Sequence, residues 1–208
     1  MIDVIIPTCK TAQATAPQVD AILDTAGCLA KIFVTCEPTW SAAQNRNLGL
    51  KSADLDIVVM VDDDVCEFPP GWLYHLTGTL ETEHECVLVS ARLLNEDGTP
   101  GPMTGEPPPT ASTGLTVAKR LPTACIAFRN DGLRFDENFV GSGFEDDDFC
   151  AQLRQKYPTG TFIINEDVRV VHKNEMKNQG FIKGKGPVPG GVFEKNQAYY
   201  ESKWGERA

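Results

Sequence analysis

The stretch "SAAQNRNLGLKSADLDIVVMVDDDV", residues 41–65, passes from a helical pattern to a strand and ends at three consecutive aspartates. Ser41 is followed three residues later by Gln44, a capping-box pattern that predicts the start of a helix. The aliphatic run at 56–61 predicts a strand that ends just before the aspartates. Strands that alternate with helices indicate a parallel sheet, in which ligands bind at the carboxyl ends of the strands. We therefore expect a binding site at residues 62–64.

The three aspartates repel one another. At ~4 Å and an effective dielectric constant of ~20, each like-charge contact costs about 4 kcal/mol, so a positive group should lie nearby. Successive side chains of a strand alternate between faces, so Asp62 and Asp64 should project together while Asp63 points away. Two carboxylates on one face suit a hard divalent cation. A solvated acidic turn is the simpler alternative, whereas the spacing of the acids excludes a calcium loop of the EF-hand type.

The residues before this stretch extend the same alternation. Short apolar runs predict strands over 3–7 and 31–35. Between them, apolar residues at helical spacing predict a helix within 15–27, with Pro17 near its start and Gly27 as its stop signal. This is the pattern of a β-α-β unit.

The residues after the aspartates continue as mixed α and β structure. A helix is predicted over 69–80, with Pro70 in its first turn, and a strand over 86–94. The segment 95–114 is rich in Gly and Pro and is predicted to be a loop. Further strands are predicted over 123–128, 161–165 and 168–172, a helix after the glycines of "GSGF", a mobile stretch over 177–191 and a terminal helix over 192–204.

Composition narrows the class of protein. The chain has 208 residues, 41% of them hydrophobic, which suits one α/β domain. Its net charge of -10 disfavours broad electrostatic attraction to nucleic acid. The seven cysteines include no CxxC pair and indicate buried thiols in a reducing compartment. No segment reaches the ~20 apolar residues of a membrane span, so we expect a cytoplasmic protein whose membrane association, if any, is peripheral.

A second acidic cluster lies at the start of the predicted helix in "GFEDDDF", residues 143–149. The helix dipole stabilises each charge by ~0.3–1 kcal/mol, which is too little to offset four mutual repulsions. We therefore favour a functional site in which one carboxyl has a raised pKa and can accept a proton. His172, at the end of the last predicted strand, is either a structural residue or a metal ligand.

These motifs, in this order, resemble the nucleotide-sugar-dependent glycosyltransferases of the GT-A fold, family 2. The resemblance covers about residues 2–172 and rests on "DVIIPT", the stretch at 41–65, "GLRFDENFVGSGFEDDDFCAQLR" and "VVH". The third of these also resembles the acidic motif of the β-1,4-galactosyltransferases. The implied fold is α/β, a single GT-A (Rossmann-like) domain with a mixed, mainly parallel sheet flanked by helices.

The resemblance also implies a division of the chain. Residues 1–208 would form one domain, made of a nucleotide-binding half, a flexible loop, an acceptor and catalytic half, and a mobile tail with a terminal helix. These parts would span residues 1–94, 95–122, 123–175 and 176–208. The long loop and the stretch at 177–191 are either lids or solvated linkers, and Lys183 and Lys185 of the latter would offer charge to phosphates.

Residue roles follow from the same resemblance. Asp64 and His172 would bind a divalent cation, Mn²⁺ or Mg²⁺. Asp146 would be the catalytic base of an inverting enzyme, and Glu145 and Asp147 would contact the acceptor. The residues implied to bind the nucleotide-sugar are Pro7, Thr8, Glu37, Arg46, Asp62 and Asp63, with Asp62 on the ribose.

The function implied is that of a metal-dependent inverting glycosyltransferase, a hexosyl- or related transferase, moving a sugar from a UDP-sugar to an acceptor hydroxyl. The acceptor would be a glycan, a lipid-linked sugar, a protein or a modified nucleobase. The sequence departs from the family at "VTCEPTW", where Glu37 would substitute in contacting the base, and at Ser142, where the galactosyltransferases have an aromatic residue. The alternatives are a nucleotidyltransferase or pyrophosphate-cleaving enzyme, and a catalytically silent module that binds nucleotide-sugars.

Overall fold

Eight strands form one mixed sheet in the computed structural model, which describes residues 1–37, 39–101, 114–173 and 191–205. The strands are β1 (Ile2–Pro7), β2 (Ala30–Thr35), β3 (Ile57–Val61), β4 (Val65–Cys66), β5 (Cys86–Leu94), β6 (Leu115–Ala118), β7 (Cys125–Arg129) and β8 (Thr161–His172). The helices are α1 (Ala12–Thr25), α2 (Ala42–Ser52), α3 (Trp72–Thr82), α4 (Glu145–Lys156) and α5 (Val192–Trp204). The strand order is β2-β1-β3-β7-β5-β8-β4, and β6 also pairs with β8.

The predicted β-α-β start is confirmed. β1 pairs in parallel with both β2 and β3, and α1 and α2 make the two crossovers. The strands β1 and β3 read as continuous apolar runs because both of their faces are buried. The capping box at Ser41 is also confirmed, since its hydroxyl accepts from the Gln44 amide and the Gln44 side chain accepts from the Ser41 amide.

Two helix starts differ from the prediction. α1 begins at Ala12 and is capped by Thr11, so Pro17 lies inside the helix and not near its start. Gly27 does end it, with φ +71°. α3 begins at Trp72 after Gly71, whose φ is +75°, so Pro70 precedes the helix. A left-handed glycine there also lets the Gly71 amide donate to the Thr25 carbonyl at 2.7 Å, which joins the ends of α1 and α3.

The sheet is mixed, as predicted, and its described strands make three parallel and four antiparallel pairings. β7 is inserted antiparallel between β3 and β5, and β4 and β6 are antiparallel to β8. The physical reason is that the chain reverses after β5: β6 and β7 both run opposite to β5, and no crossover helix lies between β5 and β7 in the described part of the chain. As a consequence, the amide of Asp62 donates to the carbonyl of Ala124 at 2.8 Å, so β7 continues to pair beyond the end of β3.

β8 is one strand of 12 residues where the sequence predicted two. Its pairing with β5 shifts register between Ala91 and Arg92, and the extra residues bulge out of the ladder. The side chain of Asn165 accepts hydrogen bonds from the amides of Asp167 and Val168 in this bulge. Two short strands were not predicted, β4 and β6, and β6 lies inside the segment 95–122 that was assigned to a flexible loop. Of the predicted lids, 102–113 and 174–190 lie outside the described residues.

The terminal helix α5 has the predicted bounds. It forms a second, small apolar cluster with the chain just before α4, in which Phe139, Phe144 and Tyr200 are buried. The seven cysteines are free, as predicted, but three are buried and Cys9 is exposed. Among the described residues, no helix is both long enough and apolar enough to cross a bilayer.

Candidate active site

The aspartate triplet lies at the carboxyl end of β3, in the tight turn that leads into β4. The amide of Val65 donates to the carbonyl of Asp62 at 3.1 Å, which closes the turn. The side-chain amide of Gln18 donates to the carbonyls of Asp62 and Val65, at 2.8 and 2.9 Å. The turn is therefore held by its backbone, which leaves the carboxylates available to other groups.

Asp62, Asp64 and His172 form a cluster in which one ligand atom from each lies within 4.8 Å of the others. β4 makes this possible because it pairs Val65 with His172, and Nε2 of His172 lies 3.1 Å from Oδ1 of Asp64. The expected meeting of Asp64 and His172 is thus seen. Asp62, which the resemblance placed on the ribose, also lies within the cluster.

Burial and charge shift the pKa values of this cluster. Burial raises the pKa of Asp62, and the nearby Arg46 opposes this. Burial alone would lower the pKa of His172, but the hydrogen bond and the charge of Asp64 raise it above its ordinary value. His172 lies beside Asp64, where a protonated imidazole would balance the charge of the carboxylate.

Asp63 lies outside this cluster, as predicted, although the aspartates lie in a turn and not in the strand whose alternation suggested this. The hydroxyl of Thr8 donates to its carboxylate. Nζ of Lys10 donates to the carbonyl of Asp63 at 2.9 Å and lies 3.7 Å from its carboxylate. Asp63 and Thr8 were both expected to contact the nucleotide, yet here they bind each other and tie β1 to the turn. Lys10 was not predicted; its only signal was a lone basic residue soon after the first strand.

Arg46 supplies the positive charge that the acidic residues require. Its guanidinium lies 3.2 Å from Asp62, 3.0 Å from Glu145 and 3.2 Å from Asp146. The side chain is 5% exposed and lies over the ring of Phe135 at 5.2 Å. The guanidinium of Arg46, which was expected to contact the nucleotide, is paired with three carboxylates in this structure.

The four acids of α4 have four different environments. Glu145 accepts from the Gly143 amide and from Arg46, and Asp146 accepts from the Thr123 hydroxyl and from Arg46. Asp147 lies 3.5 Å from Arg120. Asp148 has no exposed surface and accepts from Lys203, Trp204 and Gln152 at 2.6 to 2.7 Å, so it anchors α5.

Exposure separates these four carboxylates. The side chain of Asp146 is 29% exposed, whereas those of Glu145 and Asp147 are 4% and 6% exposed. Glu145 and Asp147, which were expected to contact the acceptor, are both buried against arginines. Asp146 is the acid of this group that is open to a second molecule.

The expected raised pKa is found, but on a neighbour of the predicted base. Burial and the charge of Asp146 raise the pKa of Glu145 to about 7, and Arg46 opposes the shift. The shift arises because burial and the neighbouring Asp146 both disfavour the charged form of Glu145. Asp146, the predicted base, is the group that a substrate can reach.

The remaining predicted nucleotide contacts lie along the same edge of the sheet. Pro7 ends β1 and is partly exposed, and Glu37 follows β2 and is exposed. The backbone of Glu37 is fixed by Asn45, whose side chain accepts from the Glu37 amide at 2.8 Å and donates to its carbonyl at 3.1 Å. Both residues therefore lie at carboxyl ends of parallel strands, as does the aspartate turn.

The sequence matches one family profile, that of glycosyl transferase family 2, over residues 19–137. No curated protein matches the chain by sequence. Solved structures of low sequence identity share the fold.

One of these is GalNAc-T7 with UDP, GalNAc and Mn²⁺, at TM-score 0.54, 15% identity and 82% coverage of this chain. Another is S. aureus TarS 1-349 in complex with UDP-GlcNAc, at TM-score 0.60, 14% identity and 97% coverage of this chain and 66% of that one. A mycobacterial protein aligns over 100% of this chain and 76% of its own, at TM-score 0.62 and 14% identity. The chain spans only 37% of the GalNAc-T7 chain and 39% of a longer TarS chain.

Proposed function

The chain belongs to glycosyl transferase family 2, and on that premise we propose that it transfers a sugar from a nucleoside-diphosphate sugar to an acceptor hydroxyl. The observation that carries the proposal is the cluster of Asp62, Asp64 and His172, with the accessible Asp146 joined to it through Arg46. Such a transfer needs a cation to stabilise the leaving diphosphate and an accessible carboxylate to take the proton of the attacking hydroxyl.

The three clustered side chains fit a divalent cation. Ligands bound to Mg²⁺ at about 2.1 Å lie about 3 Å apart when adjacent and about 4 Å apart when opposite. The separations of up to 4.8 Å between the three ligand atoms need only small side-chain movements to reach such a geometry. Two carboxylates and one imidazole favour Mn²⁺, with Mg²⁺ as the second choice. When bound, the cation would act as a Lewis acid that stabilises the departing diphosphate.

The second requirement of the reaction is a base that takes the proton of the acceptor hydroxyl, and the protein's own residues supply it. Asp146 would take the proton of the attacking hydroxyl, and Thr123 and Arg46 hold its carboxylate in place. Direct attack at the anomeric carbon, opposite the departing diphosphate, inverts its configuration. The carboxylate that accepts the proton must face the substrate, and Asp146 is the exposed acid of its cluster.

We further propose that the donor is a UDP-sugar. The solved structures with the same fold include one with UDP and Mn²⁺ and one in complex with UDP-GlcNAc. In this chain Pro7, Thr8 and Glu37 lie at the strand ends beside the aspartate turn, where a nucleoside would be bound. The acceptor is left to experiment, because the chain spans little more than a third of the first of these structures.

A product assay tests the proposal and separates its alternatives. The purified chain is incubated with UDP-GlcNAc, UDP-GalNAc, UDP-glucose or UDP-galactose, with Mn²⁺ or with EDTA, and the nucleotide products are separated by chromatography. Release of UDP in the presence of Mn²⁺ alone supports a glycosyltransferase, with water as a slow acceptor. Release of UMP together with sugar 1-phosphate would indicate a pyrophosphate-cleaving enzyme, and release of sugar 1-phosphate without UMP would indicate a nucleotidyltransferase. Tight binding of a UDP-sugar without any product would indicate a silent binding module.

A further inference from the structure

Arg46 lies between the two halves of the proposed site. It extends from α2, and its guanidinium contacts Asp62 through Nη2 and both Glu145 and Asp146 through Nη1. The two halves come from distant parts of the chain, since Asp62 is 16 residues from Arg46 whereas Glu145 is 99 residues from it. The buried guanidinium of Arg46 thus joins the carboxyl end of β3 to the first turn of α4.

The surroundings of Arg46 fix its guanidinium in one orientation. The ring of Phe135 covers it at 5.2 Å, and the side chain is 5% exposed. Its Nε is buried and has no hydrogen-bond partner within the described parts of the chain. The guanidinium is therefore held by the hydrogen bonds that it donates to the three carboxylates. These pairs act in both directions: the acids position the arginine, and the arginine positions the acids.

We infer that Arg46 is a positioning residue, which fixes Asp146 relative to Asp62 and weakens the attraction of the cluster for a cation. The inference rests on the proposed function, in which Asp62 helps to hold a cation and Asp146 accepts a proton. It assigns Arg46 no contact with the nucleotide.

The guanidinium of Arg46 has two properties with separate consequences: a planar, fork-shaped arrangement of N–H donors, and a positive charge. The fork lets one side chain reach three carboxylates at fixed angles, which the single ammonium of a lysine does not reproduce. The charge repels a divalent cation bound to Asp62. Loss of the fork should therefore impair transfer, whereas loss of the charge should strengthen cation binding, because the carboxylates would lack their counter-charge.

Two substitutions separate these consequences. Arg46→Lys keeps the charge and removes the fork, and Arg46→Gln removes both. For each protein we would measure Mn²⁺ affinity by calorimetry, UDP affinity at saturating Mn²⁺, the kcat for UDP release and the melting temperature. Arg129→Gln is the matched control, because it removes the same charge from an exposed position on β7.

We expect both Arg46 variants to lose about 10²-fold in kcat, the size of effect that a misplacement of about 1 Å can cause. Arg46→Lys should bind Mn²⁺ with unchanged affinity, and Arg46→Gln should bind it about tenfold more tightly. UDP affinity should be unchanged in Arg46→Lys. A purely structural role would predict weaker Mn²⁺ binding in both variants, since a distorted site binds a cation less well.

Three results would overturn the inference. The first is a wild-type kcat in Arg46→Lys, and the second is weaker Mn²⁺ binding in both variants. The third is weaker UDP binding in Arg46→Lys, which would restore a nucleotide contact. If Arg46→Gln does not fold, Arg46→Lys still decides between the roles through its kcat, Mn²⁺ affinity and UDP affinity. A wild-type protein that neither binds Mn²⁺ nor releases UDP would instead disprove the proposed function, and the inference would fall with it.

Discussion

The four acids of "EDDD" in α4 are neighbours in sequence, yet their carboxylates have different surroundings. Successive side chains of a helix point about 100° apart, so four consecutive carboxylates face four directions. Here those directions lead to Gly143 and Arg46, to Thr123, to Arg120 and to the end of α5. The repulsion expected from the sequence is offset by partners around each acid, with Arg46 shared between Glu145 and Asp146, and Asp146 is the acid left partly exposed.

At this scale we predict the effect of Asp146→Asn. The amide keeps the size of the side chain and can still accept a hydrogen bond from Thr123, but it does not take a proton from an acceptor. The rate of sugar transfer should fall by about 10²- to 10⁴-fold, the usual contribution of a positioned base. Calorimetry should show unchanged affinity for UDP with Mn²⁺.

Asp167→Asn is the control for this prediction, because Asp167 is an exposed acid in the bulge of β8. It should transfer at the wild-type rate. Near-normal transfer by Asp146→Asn would show that another group takes the proton.

At the scale of elements, α2 packs closely on β1. A Cβ atom added to Gly49 would lie 2.3 Å from Cγ2 of Ile5, which is fully buried. Gly49 therefore lets the helix approach the strand closely, and α2 carries both the capping box and Arg46. The position of Arg46 depends on this close contact.

Gly49→Ala should lower the free energy of unfolding by about 1–3 kcal/mol, because the added methyl group overpacks the contact. Gly78→Ala is the matched substitution in α3, where a Cβ atom would meet nothing within 4 Å. It should raise the free energy of unfolding by up to about 1 kcal/mol, because alanine favours a helix more than glycine does. Urea denaturation followed by circular dichroism measures both. Equal effects of the two substitutions would contradict the close contact.

The docking of α5 should depend on pH through Asp136. Burial alone would raise the pKa of this carboxyl, but hydrogen bonds from Lys203, Asn138 and Tyr199 lower it to about 2. A carboxyl with a lowered pKa stabilises the fold above its unfolded pKa of about 4, and this contribution is lost as the pH falls toward about 2.

Asp136→Asn removes this titration. At pH 7 the variant should be less stable than the wild type by about 1 kcal/mol. This is smaller than the free energy that the pKa shift of Asp136 alone implies, because Lys203 is partly exposed to solvent. The difference should shrink as the pH is lowered from about 4 to about 2. Denaturation at several pH values measures it, with Asp20→Asn, on an exposed part of α1, as the control. A difference independent of pH would show that the carboxylate charge has no role.

At the scale of the whole molecule, the candidate site exists only when the sheet is complete. Asp62 and Asp64 follow β3, whereas His172 ends β8, the last strand of the sheet in chain order. Pairing of β4 with β8 brings them together. A cation bound to this cluster would therefore bind the folded protein in preference to the unfolded one.

Mn²⁺ should raise the melting temperature for this reason. At 100 times the dissociation constant, the gain is about 2.7 kcal/mol, or roughly 5–10 °C for a domain of this size. EDTA should reverse it, and His172→Ala should remove most of it. His84→Ala is the control, because His84 is exposed and lies outside the cluster. An equal rise in wild type and His172→Ala would exclude the imidazole as a ligand.

The sequence by itself determined the features that depend on neighbouring residues. These are the β-α-β start, the capping box at Ser41, the stop at Gly27 and the terminal helix at 192–204. Each is set by hydrogen bonds or periodicity within a few residues, so the local pattern suffices to predict it.

Only the tertiary structure decided which side chains meet. The antiparallel insertion of β7, the bulge in β8 and the short strand β4 follow from pairing between distant segments, which leaves no local pattern. The same holds for Arg46, assigned from the sequence to a nucleotide but found among three carboxylates. Its partners are fixed by the order of strands and by burial, because a charge removed from water needs whichever opposite charge the fold places beside it.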